Sequence, residues 1–176
     1  MNNEYSTEER LIITNQVKSG ANWFYWIAGL SLINTSIFLC GGSVNFVAGL
    51  GVTQLIDAIA TMYAKLYGNT AIILAFIADI AFAGIFLIFG LFANKGKGWG
   101  FIVGMILYAL DGLLFFIVKD YISIGFHVFA LYCIFGGFKA NKRLIELNKI
   151  KDDQDKSVND TAINDPKVDT MSGETI

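Results

Sequence analysis

The fold is predicted from residues 70–140, which read TAIILAFIADIAFAGIFLIFGLFANKGKGWGFIVGMILYALDGLLFFIVKDYISIGFHVFALYCIFGGFKA. This stretch contains three apolar runs, Thr70–Ala93, Trp99–Val118 and Tyr121–Ala140. At about 1.5 Å per residue, a helix of ~20 residues matches the thickness of a bilayer's hydrocarbon core. Because only NKGKG and Lys119–Asp120 connect the runs, we predict antiparallel neighbours in an up-down bundle.

A fourth apolar run, residues 21–40, precedes this stretch and reads ANWFYWIAGLSLINTSIFLC. Trp23, Tyr25 and Trp26 lie near its start, as is typical of aromatic residues at a membrane interface. The whole chain is 55% hydrophobic, with a mean hydropathy of +0.54, which is more apolar than an ordinary soluble domain. The expected fold is an all-α integral membrane protein whose four spans form an up-down helical bundle.

Residues 46–66 form an ambiguous segment between the first two spans. Its polar residues recur at helical spacing and make one stripe: Thr53, Gln54, Asp57, Thr61 and Lys65. Apolar residues fill the other faces, so an amphipathic helix is predicted. Three placements stay open, namely at the membrane interface, as a re-entrant element, or as a fifth span with the polar stripe facing the bundle.

The distribution of cations favours four spans. With four, the positive-inside rule places Arg10, Lys18, the loop 94–98 and the basic run 139–151 in the cytoplasm. Five spans with the N-terminus outside would export Arg10 and Lys18. Both arrangements put the C-terminus in the cytoplasm, and we expect a multi-pass protein of a bacterial inner membrane.

The flanking segments are polar and differ in charge. In residues 1–20, Ser6 precedes Glu9 by three positions as a capping box, which predicts an amphipathic helix on the membrane surface rather than a signal peptide. The basic segment 141–151 predicts a helix along the anionic inner leaflet. Residues 152–176 carry seven acidic residues against two lysines and no aromatics, so we predict a disordered tail and no nucleic-acid binding.

Four polar residues stand inside the predicted spans: Asn34, Asp79, Asp111 and His127. An ionisable side chain in a span costs roughly 2.5–3.5 kcal/mol on insertion scales, so each needs a partner or a function. Asp111 lies eight residues before the Lys119–Asp120 turn and His127 seven after it, which places both at one depth, where they could touch. Asp79 and Asn34 fall at similar depths, so the sequence predicts a polar layer.

Two interpretations of this layer stay open. In the favoured one, the four side chains are interhelical hydrogen-bond partners that fix the packing. In the other, the carboxyls and the imidazole form a protonatable site for ion or proton coupling. Small residues at spacings of four indicate close helix packing or a dimer face: Ala75, Ala83, Gly100, Gly104 and Gly112.

Catalytic and cofactor signatures are absent from the sequence. The single histidine and the two isolated cysteines, Cys40 and Cys133, do not predict a metal site, a haem site or a disulfide scaffold. No HExxH, GxSxG, GxxxxGK[ST] or GxGxxG occurs. An intramembrane enzyme would need a nucleophile near His127, and that span offers only Ser123 or Tyr132.

We therefore expect neither catalytic residues nor a metal or other cofactor. The favoured function is a structural or partner-binding membrane component. Its expected partners are the lipid bilayer and either a second copy or another membrane protein. The first alternative is a small ion- or proton-coupled transporter or sensor. The second, which the sequence favours least, is an intramembrane enzyme.

Overall fold

A computed structural model describes residues 2–40 and 49–163, and within them the chain is all-helical, with no strands. The five helices are α1 (Asn2–Leu39), α2 (Gly51–Tyr67), α3 (Asn69–Asn94), α4 (Gly98–Val118) and α5 (Tyr121–Ile163). Connections are short because residues with positive φ end the helices: Gly68 between α2 and α3, Gly96 between α3 and α4, and Lys119 between α4 and α5.

The helices form a bundle in which α1 packs against α3 and α5, and α4 packs against the same two helices. Helix α2 lies along α3 and also touches α1 and α4. Three helices are long and apolar enough to cross a membrane, with bounds Asn69–Asn94, Gly98–Val118 and Tyr121–Ser157. Helix α1, which contains all but the last residue of the predicted span 21–40, is not among them, and polar residues such as Asn22 and Asn34 interrupt that span.

Aromatic rings fill the bundle interior. Phe24 of α1 is fully buried and lies 6.3–6.4 Å, between ring centroids, from Phe86, Phe89 and Phe101. A Cβ added at Gly104 would lie 2.5 Å from the Phe24 ring, so this glycine lets the ring reach α4. Large apolar side chains also cover the outside of α3, α4 and α5, so the bundle has an apolar interior and an apolar surface.

The N-terminal segment, which we predicted to lie on the membrane surface, continues without a break into α1 and packs against α5. Its apolar residues Ile13 and Val17 are buried, and Arg10 donates hydrogen bonds to Asn148 and to the carbonyl of Leu147. Ile13 and Val17 therefore pack inside the bundle, whereas Leu11 and Ile12 of the same segment are exposed.

Helix α5 continues through the predicted juxtamembrane segment 141–151 and on to Ile163. Residues 152–163, which we predicted to be disordered, are helical; residues 164–176 lie outside the described part of the chain. No glycine or proline stands between Gly137 and Pro166, so nothing in the composition ends the helix earlier.

Candidate functional site

The first turn of α2 lies inside the bundle, where a carboxylate from α4 receives its N–H groups. Gly51 N–H donates to Asp111 Oδ2 and Val52 N–H donates to Asp111 Oδ1, both at 2.8 Å. Leu50 N–H donates to Ser31 Oγ of α1, also at 2.8 Å. The N-cap residue of α2 is Leu50, which has no polar side chain, so Asp111 takes the place of a local cap. A carboxylate is the favourable group there because the helix N-terminus carries partial positive charge.

The imidazole of His127 completes this first cluster. Its Nε2 lies 3.1 Å from Asp111 Oδ2, and its Nδ1 lies 2.8 Å from the carbonyl oxygen of Ser123. A carbonyl can only accept, so Nδ1 carries a hydrogen. Nε2 then either donates to an ionised Asp111 or accepts from a protonated one. In both forms the pair shares one proton and has no net charge.

Aromatic rings and one glycine enclose His127. The ring of Tyr108 stacks on the imidazole with a centroid distance of 4.3 Å, and the ring of Phe115 lies at 5.0 Å. A Cβ added at Gly112 would lie 3.1 Å from His127 Cδ2, so the absence of a side chain there leaves room for the imidazole. His127 is only 2% exposed and Asp111 only 7%, so the cluster is closed to bulk water.

The turn before α5 positions His127. Asp120 caps α5 by accepting from the N–H and the hydroxyl of Ser123, and these hydrogen bonds lower the pKa of Asp120. The carbonyl of Ser123 is the one that faces His127 Nδ1. Ser123 therefore acts as a link between the helix cap and the imidazole, and its hydroxyl is occupied by Asp120 rather than aimed at His127 as a nucleophile would be.

A second cluster surrounds Asp79 on α3. Its Oδ2 accepts from the hydroxyl of Thr35 on α1 at 2.8 Å, and the carboxyl of Asp57 on α2 lies beside it. Asp79 is 1% exposed, and its Oδ1 receives no N–H or amide hydrogen from the described residues. Two adjacent ionised carboxyls would repel each other, whereas one protonated carboxyl can donate to the other. The arrangement therefore favours a carboxyl pair that shares one proton.

Helix α2 joins the two clusters. Its first turn contacts Asp111, and Asp57 follows six residues after Gly51, so both acidic sites touch the first two turns. Thr53 between them is buried and donates its hydroxyl to the carbonyl of Leu50 at 2.8 Å. The predicted polar stripe is thus divided, because Thr53 and Asp57 face the bundle, Gln54 is half-buried, and Thr61 and Lys65 are exposed.

The residues of the predicted polar layer belong to two separate clusters. Asp111 and His127 are together, whereas Asp79 is paired with Thr35 and Asp57. Asn34 is buried against Gly49, where the chain enters α2. Sequence reasoning missed Ser31 and Thr35; they stand four apart on the predicted first span, a spacing that would have marked them as one polar face.

The predicted small residues have separate uses. Ala75 and Ala83 are buried on α3, and Gly100 faces the backbone of α3 at Ala93. Two further glycines, Gly20 and Gly137, were not singled out. A Cβ added at Gly20 would lie 2.5 Å from the Cα of Gly137, so the α1 and α5 backbones touch at this crossing.

Within residues 2–40 and 49–163, no three histidine, cysteine or acidic side chains converge as a metal site would require. No protein-family model matches the chain, and no curated protein or solved structure is significantly similar to it. Function is therefore inferred from the geometry of the two clusters.

Proposed function

We propose that this chain is an integral membrane protein in which α1, α3, α4 and α5 cross the bilayer and α2 is a re-entrant helix. In this proposal the protein is a structural or partner-binding membrane component, and its buried ionisable groups hold α2 in place. The length and composition of α3, α4 and α5 support the membrane location, as does the apolar outer surface of the bundle.

One observation carries the structural role. Asp111 accepts two backbone N–H groups from α2 and contacts His127, so its acceptor positions are filled from within the chain. In an apolar bundle, an unpaired first turn of α2 would cost several kcal/mol, which the carboxylate avoids. Asp111, with His127 beside it, thereby attaches α2 to the bundle.

The direction of the helices supports four crossings. Asn94, the last residue of α3, donates to Tyr25 of α1, and Thr35, ten residues further along α1, donates to Asp79, which lies earlier in α3. The two helices are therefore antiparallel, and the chain returns to the end where α1 finished before α3 begins. Asp111 lies 13 residues after Gly98, which is about 20 Å from the start of α4. Because Gly51 is hydrogen-bonded to Asp111, α2 begins at that depth inside the bundle and then runs toward the end where α3 begins.

Cysteine accessibility in intact cells tests this topology. Native Cys40 is probed in a Cys133→Ser variant, and Asn69→Cys and Asn94→Cys are probed in a background that lacks both native cysteines. We expect a membrane-impermeant maleimide to label Cys40 and position 69 from outside, and position 94 only after permeabilisation. Labelling of Cys40 and position 69 from opposite sides would establish five spans, and extraction of the protein by alkaline carbonate would refute membrane insertion.

A proton-coupled role is the second candidate, and the Asp57–Asp79 pair favours it. Two buried carboxyls in contact can release or take up a proton without loss of a backbone hydrogen bond. This candidate requires water to reach the pair. Reaction of Asp57→Cys with a small aqueous thiol reagent would support a wet pathway and the coupled role, whereas an unreactive thiol would support packing alone.

A further inference from the structure

A groove of about 740 Å³ lies between α1 and α5 at the end of the bundle where α5 becomes basic. One stripe of α5 lines it, facing Gln16 of α1. The half of this stripe nearer the bundle is apolar and includes Tyr132, Phe135 and Gly136. The other half is cationic: Lys139, Lys142 and Arg143. The groove is thus amphipathic along its length.

The boundary between the halves coincides with the end of the apolar part of α5. Lys139 is the first cation after Tyr121, 18 residues along the helix or about 27 Å. If α5 crosses a bilayer, as proposed above, the apolar half lies among acyl chains and the cations lie at headgroup level. This inference rests on that proposed function.

The floor of the apolar half is open. A Cβ added at Gly136 would meet nothing within 4 Å, whereas its neighbour Gly137 is packed on Gly20. Tyr132 and Phe135 border this open backbone and are 76% and 50% exposed. The groove therefore has a strip of uncovered helix flanked by aromatic rings, a shape that accommodates a single hydrocarbon chain.

The cations of the groove are only partly neutralised. Arg143 forms an ion pair with Glu9, and Glu146 lines the far end of the groove. Lys142 Nζ lies 5.0 Å from the centre of the Phe138 ring. Within the described residues, Lys139 and Lys142 have no carboxylate partner, so two lysine charges face the headgroup position without a counter-ion.

We propose that this groove binds an anionic phospholipid, with its phosphate between Lys139 and Lys142 and one acyl chain along Tyr132, Phe135 and Gly136. A headgroup with net negative charge complements the two lysines, whereas a zwitterionic headgroup brings its own cation to the same level. Each lysine near an anionic headgroup strengthens binding by roughly fivefold, so the two together give about a 25-fold preference.

The test uses the full-length protein, purified in a zwitterionic detergent and titrated with phosphatidylglycerol or phosphatidylcholine under native mass spectrometry. We expect phosphatidylglycerol to bind at least tenfold more tightly than phosphatidylcholine. Lys139→Gln with Lys142→Gln should remove that preference. Lys149→Gln with Lys151→Gln, which makes the same charge change on an exposed part of α5, should leave it within twofold.

Two further arms separate the lipid from a bare phosphate and from bulk charge. Gly136→Leu fills the open floor, and should weaken the binding of phosphatidylglycerol at least tenfold with no loss of folding. Glycerol 1-phosphate should compete only weakly. Equal effects of the two double variants, equal binding of both lipids, or strong competition by glycerol 1-phosphate would each overturn the proposal. Carbonate extraction of the same variants is a separate readout: loss from the membrane refutes the proposed function, whereas retention without selectivity refutes this inference alone.

Discussion

Replacement of Asp111 by asparagine removes the charge at the start of α2 while keeping the shape of the side chain. In the wild type, Oδ1 accepts from Val52 N–H and Oδ2 accepts from Gly51 N–H. Asparagine supplies one oxygen and one NH₂ group, so one backbone N–H of α2 then faces a second donor. The contact with His127 Nε2 loses its carboxyl partner as well.

The expected cost is about 2–3 kcal/mol. A hydrogen bond to a charged group contributes about 1.5–3 kcal/mol, and the interaction with the helix dipole adds about 0.3–1 kcal/mol. Hydrogen bonds between helices of membrane proteins are often weaker than these values, so we expect a cost near the lower end of the summed range. Since each 1.4 kcal/mol is a factor of ten, the population with α2 detached should rise about 30- to 140-fold.

Thiol labelling of Thr53→Cys in detergent measures that population, in a background with Cys40 and Cys133 replaced by serine. Thr53 is 1% exposed, so its cysteine reacts only when the start of α2 detaches. Asp111→Asn should accelerate labelling by the factor given above. The matched control is Asp152→Asn, an identical chemical change at an exposed position of α5, and it should leave the rate unchanged. A rate within twofold of wild type in Asp111→Asn would refute the claim that this carboxylate holds α2.

Three further substitutions test other contacts, each by thermal or denaturant unfolding in detergent. Asp57→Asn keeps a hydrogen-bond donor beside the Asp79 carboxyl and should change stability by less than about 0.5 kcal/mol, whereas Asp57→Leu removes that donor and should cost about 1–3 kcal/mol; equal losses would contradict a shared proton. Gly20→Ala forces the α1 and α5 backbones apart and should cost about 1–3 kcal/mol, while Gly136→Ala, which meets open space, should be neutral or stabilising. Asp120→Ala removes the cap of α5 and should cost about 1 kcal/mol near pH 7. Because the folded-state pKa of Asp120 is lowered, its contribution is present above the carboxyl's ordinary pKa and is lost as pH falls, so wild type and variant should converge below about pH 4.

Much of the bundle follows from patterns that act locally along the chain. Helices α3 and α4 begin and end within about two residues of the runs predicted for them, because short turns with glycine leave little choice of boundary. The contact between Asp111 and His127 was expected by the same reasoning, since a two-residue turn fixes the register of the hairpin, and their atoms lie 3.1 Å apart.

What sequence reasoning missed depends on contacts between distant segments. The start of α2 carries no signal of its insertion, because Leu50 cannot cap a helix and the capping carboxylate is about 60 residues away. Asp57 was assigned to the polar stripe with no partner, because the carboxyl beside it, Asp79, belongs to another helix. The continuity of α1 also escaped prediction, because it depends on Ile13 and Val17 packing into the bundle, where α1 lies against α5.

The two acidic clusters differ in what a proton transfer would disturb. If Asp111 gained or lost its share of the proton held with His127, the charge that binds the Gly51 and Val52 N–H groups would change, and the attachment of α2 with it. Within residues 2–40 and 49–163, no backbone N–H donates to Asp79, and Thr35 donates its hydroxyl to Asp79 Oδ2. Proton exchange there leaves the backbone hydrogen bonds from α2 to Asp111 intact. A proton-coupled activity in this fold would therefore depend on Asp57 and Asp79, with Asp111 and His127 holding the helix that carries Asp57.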